Sequence, residues 1–169
     1  MKRYAMRRLQ EWKEDPSRLP MIIRGARQVG KTWLMREFGR TAFEKCAYIN
    51  FDRNERMQHL FSGDFDVDRI LQGLSIESEV EIEPENTLII LDEIQEVPAA
   101  LQSLKYFCED ERHSYYILAA GSLLGIAMHE GTSFPVGKVD SMDLHPLSFT
   151  EFLSATGNDP LLLLLQQMD

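Results

Sequence analysis

The sequence predicts an α/β domain, with a mainly parallel sheet of about five strands and helices on both faces. Three observations predict it. Short runs such as TLIILD, Thr87 to Asp92, are apolar on both faces, as buried parallel strands are. Such runs alternate along the chain with segments of helical period. The stretch IIRGARQVGKTWLM, Ile22 to Met35, places Gly25, Gly30, Lys31 and Thr32 on the template G-x-x-x-x-G-K-[ST]. At average residue frequencies a chain of 169 residues meets that template by chance with odds of about 0.5 %.

The elements follow in order. Residues 3–12 read as an amphipathic helix with Ala5, Leu9 and Trp12 on one face, ended by Pro16 and Pro20. MIIRG is a first strand, and the helix after Lys31 carries Leu34, Phe38 and Ala42 on one side. CAYINFD, Cys46 to Asp52, is a second strand. Two short helical patterns follow it, one on Met57, Leu60 and Phe61, the other on Val67, Ile70, Leu71 and Leu74. TLIILDE, Thr87 to Glu93, is the clearest strand. Pro98 opens a helix that turns Leu101, Leu104 and Phe107 or Cys108 inward. YYILAAGS, Tyr115 to Ser122, is another buried strand, and LLGIAMHE a short helix. VDSMDLHPL is the last strand, and SFTEFL starts a helix capped by Ser148 with Glu151 three residues on. The organisation predicted is one domain: a helix and linker over 1–20, a core over 21–147, and the start of a helical region over 148–169.

Composition narrows the function. A chain of 169 residues with 44 % hydrophobic residues supports one folded core. The net charge of −9 argues against a general nucleic-acid or anionic-membrane binder, which needs a basic face. The early basic cluster of Lys2, Arg3, Arg7 and Arg8 is followed by Glu11, Glu14 and Asp15 and reads as a solvated helix face. Cys46 and Cys108 have no metal spacing and read as buried free thiols of a reducing cytoplasm. No signal-peptide pattern and no apolar run of membrane-spanning length is present. Glu77, Glu79, Glu81, Glu83 and Glu85 alternate, which reads as one wet face of an edge or loop and not as a cation site.

The template has the strand and helix it needs on either side. Its glycines let successive backbone N–H groups turn around a phosphate, and the helix opening near Gly30 aims its positive end at the same point. The nucleotide-binding stretch is therefore Gly25, Ala26, Arg27, Gln28, Val29, Gly30, Lys31, Thr32 and Trp33. Lys31 would reach the β- and γ-phosphates, and Thr32 would place its hydroxyl on Mg²⁺. Asp92, at the carboxyl end of a strand, is the second candidate for the metal, held through water. Glu93 is the candidate base for an attacking water. If YYILAAGS lies between the other two strands, Ser122 comes near the γ-phosphate and senses it; the alternative is a plain turn.

With GARQVGKT, LIILDEIQEVP, LQSLKYFCED, AAGSLLG and FPVGKVDSMDLHPLSFTEFL in this order, the chain resembles a family of bacterial and archaeal AAA-type P-loop ATPases with a C-terminal domain of unknown function. The resemblance covers nearly the whole chain. It implies a three-layer P-loop sandwich with an extra strand between the Walker A and Walker B strands. It also implies ATP and Mg²⁺ as ligands, the roles above for Lys31, Thr32, Asp92 and Glu93, and Ser122 as the sensor. Family members continue past this point, so the end at Asp169 reads as that of a fragment. Where the family often carries an arginine finger this chain has Lys138, which lacks the planar fork; Arg112 and Arg27 are other basic candidates, each read as a surface residue. The function expected is Mg²⁺-dependent ATP hydrolysis driving change in an attached domain or protein partner, with a homo-oligomer possible. The alternative is a nucleotide switch with little turnover; a small-molecule kinase ranks last, because no lid is legible.

Overall fold

The computed structural model describes residues 4–112, 114–122, 135 and 137–157. Its elements are α1 (Tyr4–Glu14), β1 (Met21–Gly25), α2 (Lys31–Ala42), β2 (Lys45–Asn50), α3 (Glu55–Phe61), α4 (Val67–Ser78) and β3 (Thr87–Asp92). After a 3₁₀ turn (Ile94–Glu96) come α5 (Pro98–Glu109), β4 (Tyr116–Ser122), β5 (Asp140–Asp143) and α6 (Phe149–Ala155). The five strands form one sheet in the order β2-β3-β4-β1-β5, and every pairing is parallel.

Parallel strands with helices on both faces must bury both sets of side chains. Successive residues do so here: Ile22, Ile89, Leu91, Ile117 and Ala119 pack into one core with α3, α4 and α5. Ile23, Leu88, Ile90, Leu118 and Ala120 pack into the other, against Leu9 and Trp12 of α1 and Leu34, Met35 and Phe38 of α2. β4 lies between β3 and β1, as the resemblance implied, and Ser122 stands opposite Gly25 in register. Asn50 stands opposite Asp92. The carboxyl ends of the strands thus share one edge, where an open α/β sheet places its ligands.

Several expectations need correction. α1 continues two residues past Trp12 to Glu14 and stops, as expected, before Pro16, which sits in the Asp15–Arg18 turn. Of the alternative pair in α5 it is Phe107 that is buried; both thiols are free but only half-buried. Glu81, Glu83 and Glu85 lie in the loop after α4, as the loop reading expected, whereas Glu77 does not. Glu77 lies within α4 and accepts a hydrogen bond from Asn54, and Glu83 pairs with Lys45. The last strand is shorter than VDSMDLHPL, and Ser148 caps α6 in a full capping box with Glu151. The LLGIAMHE segment and the chain beyond residue 157 lie outside the described residues.

Candidate functional site

The site is built where β1 turns into α2. The position of a Gly25 side chain is occupied: a Cβ there would meet the carbonyl oxygen of Leu144 at 2.5 Å. That oxygen is backbone, held because Leu144 N donates to Arg24 O. Gly30 takes φ 94° at the N-cap of α2, a conformation open to glycine and costly for most residues. Gln28 also lies in the left-handed region, at φ 65°. Val29 turns inward, only 9 % exposed, and anchors the loop in the core beside α2.

Lys31 is 6 % exposed. Its Nζ donates to the carbonyl oxygens of Gly25 (3.0 Å) and Ala26 (2.8 Å), so the ammonium folds back along its own loop. Desolvation lowers its pKa from the usual lysine range, against the opposing pull of Glu93 and Asp92. Thr32 Oγ1 donates to Asp92 Oδ2 at 2.6 Å, joining α2 to the end of β3. The phenol of Tyr48, on β2, donates to the same oxygen at 2.9 Å. Asp92 Oδ1 accepts from the Glu93 N–H at 3.1 Å. Glu93 itself is in the left-handed region at φ 54°, and its Oε2 accepts from Gln95 Nε2 at 2.6 Å.

These groups border a cavity of about 710 Å³. Arg27, Gln28, Gly30, Lys31, Thr32 and Trp33 line it from the loop and α2; Glu93 and the Asn50–Arg53 turn face them. Gly25, Ala26 and Val29 shape the loop without lining the cavity, and Asp92 lies beneath it, 2 % exposed. Ser122 ends β4 level with Gly25, outside the lining. Arg112 is held away by Asp68 and Asp110. Lys138 pairs with Glu109 at 3.1 Å, just before β5 begins opposite Met21. That is the amino edge of the sheet, about 13 Å along β1 from Gly25.

A family model described as an AAA domain matches residues 17–153. This chain belongs to the AAA domain family. It is thus a nucleotide-binding domain of the AAA-type P-loop ATPases. No curated protein is significantly similar to it. Among solved structures, the Orc1 protein of Aeropyrum pernix, in complex with DNA, is similar at TM-score 0.55 and 15 % identity, over 91 % of this chain and 48 % of that one. The PCH-2 protein of C. elegans is similar more loosely, at TM-score 0.45 and 18 % identity, over 93 % of this chain and 43 % of that one. The chain spans about half the length of these solved chains. The likeness to Orc1 is one of fold. Among the described residues, no helix of this AAA domain is long and apolar enough to cross a membrane.

Sequence reasoning missed Tyr48, Gln95 and the Asn50–Arg53 turn. Gln95 had a signal, its place in DEIQ directly after the acidic pair. Tyr48 had none beyond its alternation in β2, because the contact with Asp92 arises only from strand register.

Tyr48 makes a testable electrostatic device. Burial first, then the charge and hydrogen bond of Asp92, push its phenol up from 10.0 to about 12, against the Arg36 guanidinium stacked 3.8 Å from the ring centre. A raised folded-state pKa favours the fold in full below pH 10, and the contribution is lost as pH climbs through about 12. For this partly exposed group it amounts to about 1–2 kcal/mol. Tyr48→Phe is expected to erase the last ionisation step in the ultraviolet titration of the tyrosines and to flatten the stability loss between those pH values. An unchanged titration would remove the Tyr48–Asp92 hydrogen bond from this account.

Proposed function

We propose that the domain binds ATP with Mg²⁺ in this cavity and hydrolyses it to ADP and phosphate. The observation that carries the reading is the 2.6 Å contact of Thr32 with Asp92 beside the buried Lys31. It brings the loop and the acidic strand end to one point. Mg²⁺ keeps most of its waters when bound to nucleotide, so one hydroxyl and one carboxylate are a sufficient protein contribution. Thr32 and Asp92 form such an all-oxygen set, and the cation would neutralise charge on the phosphates. Among the described residues no cluster of three or more His, Cys, Asp or Glu competes as a metal site.

In this reading the loop backbone and Lys31 hold the β- and γ-phosphates, with the Nζ moving off the Gly25 and Ala26 carbonyls onto phosphate oxygen. Glu93 accepts the proton of the water that attacks the γ-phosphorus, while the bond to the ADP oxygen breaks. Gln95 fixes the direction of the Glu93 carboxylate. Ser122, level with Gly25 at the end of the central strand, is proposed as the γ-phosphate sensor, although it lies outside the cavity lining. In this reading residues 21–147 are the nucleotide-binding core, and hydrolysis drives change in an attached domain or a partner, a second copy among them.

Calorimetric titration of Mg-ATP and Mg-GTP tests this reading, followed by a phosphate-release assay. Saturable Mg-ATP binding with turnover is the expected result; a folded protein that binds neither nucleotide sinks it. Thr32→Ala sharpens the test. It is expected to weaken ATP about 10-fold with Mg²⁺ present, the worth of one lost ligand hydroxyl, and to leave metal-free binding unchanged.

A second reading, a slowly cycling nucleotide switch, is favoured by one observation. Lys138, where the resemblance puts an arginine finger acting on a neighbour's nucleotide, lacks the planar fork and is paired with Glu109. A turnover number near zero with intact binding would select it.

A further inference from the structure

Phosphate sites need cations that are free to reach the ligand. Nearly every described cation in this domain is already engaged. Lys13, Lys31 and Lys45 donate or pair within the fold, as Lys138 does, and Lys105 lies over Tyr106. The described arginines outside the cavity hydrogen-bond, ion-pair or stack on a ring. Among the described residues, Arg27 and Arg53 have no hydrogen bond, ion pair or ring contact, and both line the 710 Å³ cavity. The other large cavity, about 510 Å³ between α3 and α4, offers no such group, because its Arg56 and Arg69 are paired with Glu77 and Asp64.

Arg53 is also held in an unusual backbone. Its φ is 52°, a left-handed conformation that costs a non-glycine residue about 1–2 kcal/mol. Strain of this kind persists where its surroundings over-determine it. They do here. Asn50 Oδ1 accepts from Asp52 N at 2.9 Å, and Asn54 Nδ2 donates to Asn50 O at 3.0 Å while its side chain caps α3. Phe51 is fully buried, and its N–H donates to the backbone oxygen of Asp92 at 3.0 Å. The turn is thereby fastened to the strand end that carries the acidic pair. Of the described non-glycine residues with positive φ, Gln28, Arg53 and Glu93 all border this cavity. The remaining one, Glu79, ends α4, where a left-handed residue is an ordinary helix stop.

We propose that Arg53 recognises the terminal phosphate of the bound nucleotide from within the same chain. It approaches from the β2 side, beyond Asp92 and Glu93, opposite the loop that carries Arg27. Lining charges balance without a ligand, with Arg27, Lys31 and Arg53 against Asp52, Glu93 and Glu96. Phosphates therefore meet two arginines that break no ion pair to bind them, and a guanidinium grips two phosphate oxygens at once. Arg53 would thus let this domain tell triphosphate from diphosphate without the distant Lys138. The proposal rests on the cavity being the ATP site.

Arg53→Asn tests it, because asparagine accepts the left-handed backbone but carries no charge. Mg-ATP and Mg-ADP are titrated into wild type, Arg53→Asn and Arg53→Lys. Arg53→Asn is expected to weaken Mg-ATP about 10-fold, to leave Mg-ADP within twofold, and to melt with the wild type; Arg53→Lys restores part of the loss. If the asparagine variant melts early, Arg53→Gly supplies the same backbone without the charge and the same comparison. An ATP-to-ADP affinity ratio unchanged in the charge-free variant overturns the role of Arg53 alone. A wild type that binds neither nucleotide overturns the ATP site and this proposal together.

Discussion

Glu93→Gln is expected to lower Mg-ATP turnover by about 10²–10⁴-fold, the usual worth of a positioned general base, and to leave the Kd for Mg-ATP unchanged. The substitution keeps size and shape. The amide oxygen of glutamine can still accept the bond from Gln95 Nε2, now made to the Glu93 carboxylate at 2.6 Å. The left-handed backbone of residue 93 is no worse for glutamine than for glutamate. What is lost is the capacity to take a proton, so the change falls on kcat and not on binding. In free energy it corresponds to about 3–5 kcal/mol of transition-state stabilisation. Single-turnover phosphate release beside equilibrium titration separates the two quantities. Turnover equal to wild type would strip Glu93 of the base role and leave its hydrogen bond to Gln95 as an architectural feature.

The parts of this site that were legible in the sequence are those fixed by local geometry. The loop after β1 needs a glycine where Leu144 O leaves no room for a Cβ, and another where φ is 94°. Such demands write themselves into a short string. β3 was legible because all six of its residues are buried, which leaves an unbroken apolar run ending in Asp92. The illegible parts depend on register and on turn conformation. Tyr48 reaches Asp92 only because β2 and β3 pair in parallel with Asn50 opposite Asp92. Arg53 looks like any exposed arginine until its backbone is known. The alternating glutamates were legible in part: Glu81, Glu83 and Glu85 lie in the expected loop, but Glu77 belongs to α4, which runs to Ser78, and a hydrogen bond from Asn54 holds it there. Two-residue alternation over so short a span does not separate a strand from a helix end followed by coil.

Lys31→Met is expected to uncouple stability from binding. The Lys31 residue is largely buried, and partial desolvation of its ammonium lowers its pKa because the charged form has lost water. Two carbonyl oxygens compensate in part. Methionine fills similar volume without that desolvation cost, so the variant should melt no lower than wild type. Its affinity for Mg-ATP should nonetheless fall about 10–100-fold, the loss of one charge-assisted phosphate contact. The pH dependence supplies an internal check. A lysine whose folded-state pKa is lowered binds fewer protons in the folded than in the unfolded chain between that value and its ordinary 10.5. Wild-type stability therefore gains from this group as pH rises through that window, and the variant lacks the gain. The variant's stability relative to wild type is then greatest near neutral pH and shrinks toward 10.5, with Tyr48 cancelling in the comparison. Denaturant melts of both proteins across this range measure it. A variant that unfolds easily at neutral pH would mean that Lys31 supports the loop structurally, and the loss of binding would then say nothing about phosphate.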